Sequence, residues 1–194
     1  DGSAVKAAIL EDGTRVAADV IVANSDLPYT YGSLLGEPYK AIDRKVFSCS
    51  VVLLYLGTNR TYPNLLHHNL AVSRDLETTC RELFTDQVMP DDPPFYVVAT
   101  TRTEPAMAPP GGESIYVLVL APSQNPARPI DWSVEGPKVE ARTLERLEQW
   151  GLPDLRKHIV TKKLVTPDDF TTNFGNLRGE AFGLVRAEAD QQAG

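Results

Sequence analysis

Apolar and polar positions alternate in short blocks along most of the chain. Ala4 to Leu10 is apolar-rich, Thr14 to Ala17 returns beside it, and Asp12-Gly13 lies between them. That dipeptide is a strong hairpin signal, because type I′ turns need positive φ. Val20-Ile21-Val22-Ala23 is a continuous apolar run, the pattern of a strand buried on both faces. It passes into Asn24-Ser25-Asp26 and then Leu27-Pro28, which breaks regular structure, and Tyr29 to Leu35 reads as a short helix stopped by Gly36. Ser48 to Gly57 is β-branched and apolar and predicts a central strand, with Leu65 to Val72 as a second, weaker one. Leu76 to Phe84 has helical periodicity. Phe95 to Thr101 and Ser114 to Leu120 are two further strands, separated by a loop over Arg102 to Glu113 that holds three prolines and two adjacent glycines. Pro137 predicts the opening of a helix, where its missing N–H costs nothing, with Leu144 and Leu147 inward and Gly151 as the stop. Ile159 to Val165 is the last strand. The pattern predicts an α+β fold: a mixed or antiparallel sheet with flanking helices.

Composition narrows what such a fold does. The chain has 194 residues, 42% hydrophobic and 23% charged, so it is neither disordered nor dominated by a membrane span. The longest apolar stretch, Val51 to Leu56, is far short of the ~20 residues a span needs. With 19 Lys+Arg against 26 Asp+Glu the net charge is −7, and no cationic run exceeds Lys162-Lys163. Nucleic acid, which requires clustered cations, is excluded as a partner. Two cysteines, Cys49 and Cys80, make neither a disulfide framework nor a metal cluster and point to a reducing compartment. The chain starts at Asp1-Gly2, a turn pair met immediately by strand-like residues, which reads as a piece of a longer protein. The sharpest internal change of composition falls between Pro28 and Lys45.

Few side chains stand out as chemistry. His67 and His68 are adjacent; on a strand they face opposite ways, so at most one of the two can reach a site as base or ligand. No acidic residue or cysteine sits at ligand spacing beside them, and half-buried scaffold histidines are the commoner case. Asp91-Asp92 and Asp168-Asp169 both adjoin prolines, the grammar of turns and helix starts, and Thr166-Pro167-Asp168-Asp169-Phe170 reads as a capped helical turn. There is no nucleophile elbow, no dinucleotide-binding glycine fingerprint and no phosphate-binding P-loop. Pro109-Pro110-Gly111-Gly112 is too proline-rich to offer backbone N–H groups to a phosphate. Taken alone, the residues describe an α+β domain whose apolar strands form a core or line a cavity.

The order of segments is more specific than any one of them. Glu11-Asp12-Gly13 followed by Ala18-Asp19-Val20-Ile21-Val22-Ala23-Asn24-Ser25-Asp26 resembles the "DG…ADvVVsNaD" segment of the bacterial and fungal phytoene (carotenoid) desaturases. Those enzymes are FAD-dependent members of the amine-oxidase-like flavoproteins. Ser50 to Gly57 is similar to that family's strand ending in "LYLG", and Leu66-His67-His68-Asn69 to the "HH" after it. Asp91 to Gly111 resembles its "DPs.Yv…APPG" stretch, and Asp131-Trp132 and Thr166 to Phe170 complete the order.

The resemblance implies a flavoenzyme, peripheral at a membrane in the cytoplasm, that introduces C=C bonds into a long polyene by hydride transfer to FAD. Residues 1–27 would flank a Rossmann-like FAD domain, residues 28–180 would form the substrate-binding domain, and residues 181–194 a polar tail that departs from the family pattern. It implies flavin-proximal positions at Asn24, Ser25 and Asp26, and substrate-proximal ones at His67 and His68; catalytic residues stay unassigned and no metal is implied. The family's glycine-rich flavin motifs are missing from these residues, so the chain alone is expected neither to hold FAD nor to turn over. Other readings stay open: a related flavoprotein (carotenoid ketolase, isomerase or retinol saturase-like), or a non-catalytic carrier of a hydrophobic ligand.

Overall fold

A computed structural model describes residues 4–37, 42 and 45–185. Its centre is a five-stranded sheet built from β4 (Ser50–Thr58), β5 (His68–Ala71), β6 (Phe95–Ala99), β7 (Glu113–Ala121) and β8 (Ile159–Val165), in the spatial order β5-β6-β7-β4-β8. Every neighbouring pair is antiparallel. Two-stranded ribbons stand outside it: β1 (Ala7–Ile9) with β2 (Arg15–Ala17), and β3 (Val46–Phe47) with β9 (Leu184–Val185). The fold is thus α+β with antiparallel pairing throughout the described residues.

The two faces of the sheet differ. Val52, Leu54 and Leu56 of β4, Phe95, Val97 and Ala99 of β6, and Ile115, Val117 and Val119 of β7 all point to one side. There they bury against α3 (Trp132–Trp150), whose Trp132, Val139, Leu144 and Leu147 recur at the spacing of one helical stripe. Leu152, Leu155, Tyr62 and Leu65 close the core around it. On the opposite side β7 presents Ser114, Tyr116, Leu118 and Leu120, each only half buried, and the strict alternation along β7 records the contrast.

Helix α3 corrects one expectation. It begins at Trp132 rather than Pro137, because the Asp131 carboxylate accepts the Ser133 N–H at 3.0 Å and caps the end. Pro137 lies inside the helix, preceded by Gly136, where an added Cβ would come within 2.9 Å of Thr166 Cγ2. The other helices follow the pattern. Leu27–Tyr29 (α1) runs on as a wide turn over Thr30–Leu34, and Leu76–Arg81 (α2) likewise over Glu82–Asp86. Pro167–Phe174 (α5) starts with a reciprocal capping box between Thr166 and Asp169, while the Asp168 carboxylate accepts from the Gln124 amide, so both carboxylates of the pair are structural. A short α4 (Leu155–His158) leads into β8.

A second correction concerns Val20 to Ala23. The run forms no strand, and Val20 and Val22 are 78% and 84% exposed. A strand is stable only with a ladder partner, and none of the described residues pairs with this one. In the segment 181–194, Leu184 and Val185 pair with β3, whereas residues 186–194 lie outside the described set. The composition change between Pro28 and Lys45 falls partly there too.

Candidate functional site

The face of the sheet turned away from α3 is apolar and largely uncovered. Register places Leu70, Tyr96, Leu118, Leu53 and Val165 in one line across all five strands, and His68, Val98, Tyr116, Tyr55 and Lys163 in the next. The Tyr55 and Tyr116 rings meet at 5.3 Å in a tilted pair. His68 stacks on Tyr96 with ring centroids 5.8 Å apart, and its Nδ1 lies 2.5 Å from the Tyr96 hydroxyl. Burial raises the Tyr116 phenol above its ordinary range, with Tyr55 and Tyr96 adding to the rise, so the Tyr116 hydroxyl stays a neutral donor.

Both ends of this face are built. At the head of β4, Phe170 of α5 and Ala181 pack on Val51, Leu53 and Val165. At the other end the loop between β6 and β7 folds over the sheet. A cavity of about 720 Å³ lies there, lined by Tyr55, Val98 and Tyr116 on the sheet and by Met107, Pro109 and Pro110 on the loop. That volume is in the usual range for a small-molecule cleft.

The loop is rooted in an ion pair between a buried carboxylate and a partly exposed guanidinium. Glu113, wholly buried, lies 2.5 Å from the Arg102 guanidinium and accepts the Tyr62 N–H at 2.7 Å. Arg102 also donates through Nη2 to the Tyr62 carbonyl at 2.6 Å and through Nε to the Leu65 carbonyl at 2.8 Å, which fixes its guanidinium against the carboxylate. Neither residue stood out in the sequence. The signal was parity: Glu113 shares its side of β7 with Ile115, Val117 and Val119, which makes it a core carboxylate in need of a cation.

The residues expected near a cofactor lie at the opposite end. Asn24 is exposed, while Ser25 and Asp26 are half buried. Ser25 shares a hydroxyl–hydroxyl hydrogen bond of 2.8 Å with Thr30, and the Asp26 carboxylate accepts the Leu177 N–H at 3.2 Å. The structure therefore brings residues 24–26 against 176–183, where the chain approaches the sheet a second time. Ala181 N–H donates to the Cys49 carbonyl, and the Ser50 hydroxyl to that of Gly179. Glu180 is buried between them, accepts the Gly183 N–H at 2.5 Å, and has Asp26 beside it. Burial lifts the Glu180 carboxyl above the usual carboxylate range, and the Asp26 charge lifts it further. Sequence reasoning passed over Glu180 because nothing in Gly179-Glu180-Ala181 announces burial. By themselves residues 24–26 do not compose a flavin site: Ser25 and Asp26 use their side-chain oxygens within the chain, and no glycine-rich phosphate turn accompanies them.

His67 and His68 do not face opposite ways. His67 precedes β5, and the two rings lie 4.3 Å apart. His67 Nδ1 is 2.8 Å from the Thr103 hydroxyl, which ties it to the loop root, whereas His68 belongs to the open face. Asp92 of the other carboxylate pair bridges Arg74 and Arg146 and is structural. Among the described residues no group of three or more His, Cys, Asp or Glu is placed to hold a metal. No described helix is long and apolar enough to cross a membrane.

No protein-family model matches the chain. Curated proteins do. It is 43% identical over 188 residues to a zeta-carotene-forming phytoene desaturase of Myxococcus xanthus, a match covering 95% of this chain and 36% of that protein. The chain belongs to the carotenoid desaturase family. A lycopene-forming phytoene desaturase of Pseudescherichia vulneris is 35% identical over 181 residues, covering 90% of this chain and 37% of the relative. A 4,4'-diaponeurosporene oxygenase of Staphylococcus haemolyticus is 36% identical over 182 residues, covering 91% and 36% respectively. The chain thus spans little more than a third of the length of the curated family members it matches.

Proposed function

We propose that this chain forms the substrate wall of an FAD-dependent carotenoid desaturase, and that the open sheet face lies against a linear polyene. The observation that carries the reading is the face itself: an apolar, aromatic surface with no buried charge in it, on a chain whose relatives are named for phytoene and carotene desaturation. A hydrocarbon offers no polar handle, so recognition rests on shape and on the area removed from water, at roughly 25 cal/mol per Å². Leu70, Leu118 and the faces of Tyr96, Tyr116 and Tyr55 supply such area, and their exclusion of water keeps the reacting carbons in an apolar medium.

Desaturation removes two electrons and two protons from adjacent carbons. The FAD of the resemblance supplies the electron acceptor when bound, and that chemistry belongs to the cofactor. This chain's own part is to hold and orient the hydrocarbon. In this reading Asn24, Ser25 and Asp26 lie near the flavin, with the remainder of its site contributed from outside residues 4–185. His68 lies at the substrate edge and fixes the Tyr96 ring, while His67 holds the loop. The domain division at residue 28 belongs to the same proposal, with residues 4–27 on the flavin side. A bilayer-dissolved substrate calls for work at a membrane surface, and the exposed Leu66, Leu70 and Val72 at the β5 edge give that entry an apolar rim. Cys49 and Cys80 are both free thiols, which suits the cytoplasm.

The test is conversion of phytoene by the flavoenzyme carrying this chain, followed by the visible absorbance of the lengthened conjugation. Leu118→Glu is expected to abolish conversion at a cost in thermal stability that Leu118→Gln, its uncharged counterpart, shares in part and calibrates, because Leu118 packs at the margin of the smaller apolar cluster and not in the main core. Full conversion by that variant would refute the wall.

A further inference from the structure

We propose that the loop over residues 102–112 is the end stop of the polyene wall, and that Met107 with Pro109 and Pro110 sets how far along the polyene the reacting bond lies. The inference rests on the reading of the open face as the substrate wall.

Three observations lead to it. First, the wall has direction. Along β7 the half-buried side chains run Leu120, Leu118, Tyr116, Ser114, six residue steps of about 3.3 Å, or roughly 20 Å. Leu120 packs in the same cluster as Phe170 and Ala181, next to the place where residues 24–26 and 176–183 meet; Ser114 lies in the cavity under the loop. One end of the wall therefore adjoins the residues proposed to be near the flavin, and the other ends at Met107.

Second, the loop is held rather than free. Its two roots, Arg102 and Glu113, are joined by the ion pair, and Thr101 donates to the same buried carboxylate at 3.3 Å. Inside the loop the Met107 and Gly112 N–H groups donate to the Glu104 and Pro109 carbonyls at 3.1 and 2.9 Å. At Gly112 an added Cβ would stand 2.6 Å from the Thr58 carbonyl oxygen, so the loop lies directly on the end of β4. Two adjacent prolines fix the backbone further.

Third, the lining suits a hydrocarbon terminus. Met107 is 55% exposed and touches the cavity with Pro109 and Pro110, opposite Tyr55, Tyr116 and Val98. A flexible thioether fills space without demanding a polar partner. A rigid stop about 20 Å from the reacting end makes the wall a ruler: chain added beyond it has nowhere to lie, and the bond presented for reaction is counted from the stop.

The experiment uses the flavoenzyme with Met107→Trp and Met107→Ala, and two linear isoprenoid polyenes differing by two isoprene units. Binding is read from polyene absorbance in equilibrium partition, independently of turnover, and the positions of the new double bonds are read from the products. Met107 is exposed, so both variants are expected to fold, which thermal unfolding checks. The indole is expected to weaken the longer polyene by roughly tenfold relative to the shorter, the scale of a steric misfit in an apolar pocket, and to shift the new bond along the chain. The alanine variant is expected to move the ratio the other way. An unchanged ratio with unchanged bond positions in both variants would overturn the end stop while the wall stands. Failure of the unaltered enzyme to bind either polyene would remove the wall, and the stop with it.

Discussion

Two buried carboxylates with opposite surroundings govern this molecule at the scale of single residues. Glu113 has Arg102 and the Tyr62 N–H against it and serves as a structural anion. Arg102→Ala leaves that carboxylate buried and unpaired, and is expected to lower stability by about 3 kcal/mol, measured by denaturant unfolding. Replacement of both partners by apolar residues should recover much of the loss, since the pair's attraction is set against its desolvation. Among the described residues no cation is paired with Glu180. Its neighbours are Asp26 and the Gly183 N–H, and Arg178 from the same segment is turned onto the Phe47 ring at 4.2 Å. A carboxyl raised in the folded state holds its proton longer than in the unfolded chain. Its contribution is therefore complete below the ordinary carboxyl range and is lost as pH rises through the raised value. Glu180→Gln is expected to flatten that part of the stability–pH curve, measured as Tm across the acidic to neutral range. An unchanged slope would show that the proton resides elsewhere. Asp92 acts in the opposite direction: the Arg74 N–H holds its carboxyl low, so its contribution is lost only as pH falls through that lowered value.

At the scale of elements, the sheet is asymmetric, and substitutions on its two faces should separate cleanly. Leu147 is fully buried between α3 and the sheet, and Leu147→Ala is expected to cost about 2–5 kcal/mol in denaturant unfolding. Leu118 is only half buried on the other face, and Leu118→Ala is expected to cost much less. Most of these elements were legible in the sequence, because Ser50–Thr58 is a nearly continuous apolar run and Glu113–Ala121 carries β-branched residues at period two. The start of α3 was hidden by Pro137: a proline five residues into a helix looks like its first turn, and the Asp131 cap that decides the matter is one side chain. Val20 to Ala23 misled for the reverse reason. Periodicity reports what a segment would bury, and no described residue pairs with this one. The site was less legible still. The pairing that lines His68 up with Tyr116, Tyr55 and Lys163 is a matter of register between strands remote in sequence, and no local motif encodes it.

Across the whole molecule, chain order and sheet geometry describe one device. Residues 176–183 meet the sheet at the head of β4, and residues 24–26 are held against them through Asp26 and the Leu177 N–H. From that junction an apolar face leads along β7 to the pinned loop at Met107. One side of the sheet is closed by α3 and supplies stability; the other stays open and, in the proposed reading, meets the polyene. The most direct measurement is photolabelling. A linear isoprenoid carrying a diazirine would be irradiated with the protein that carries this chain and the adducts located by peptide mass spectrometry, with and without excess unlabelled polyene. The wall predicts adducts at Leu70, Tyr96, Tyr116 and Leu118 that the competitor suppresses. Adducts confined to the outer face of α3, or labelling that the competitor leaves untouched, would contradict it.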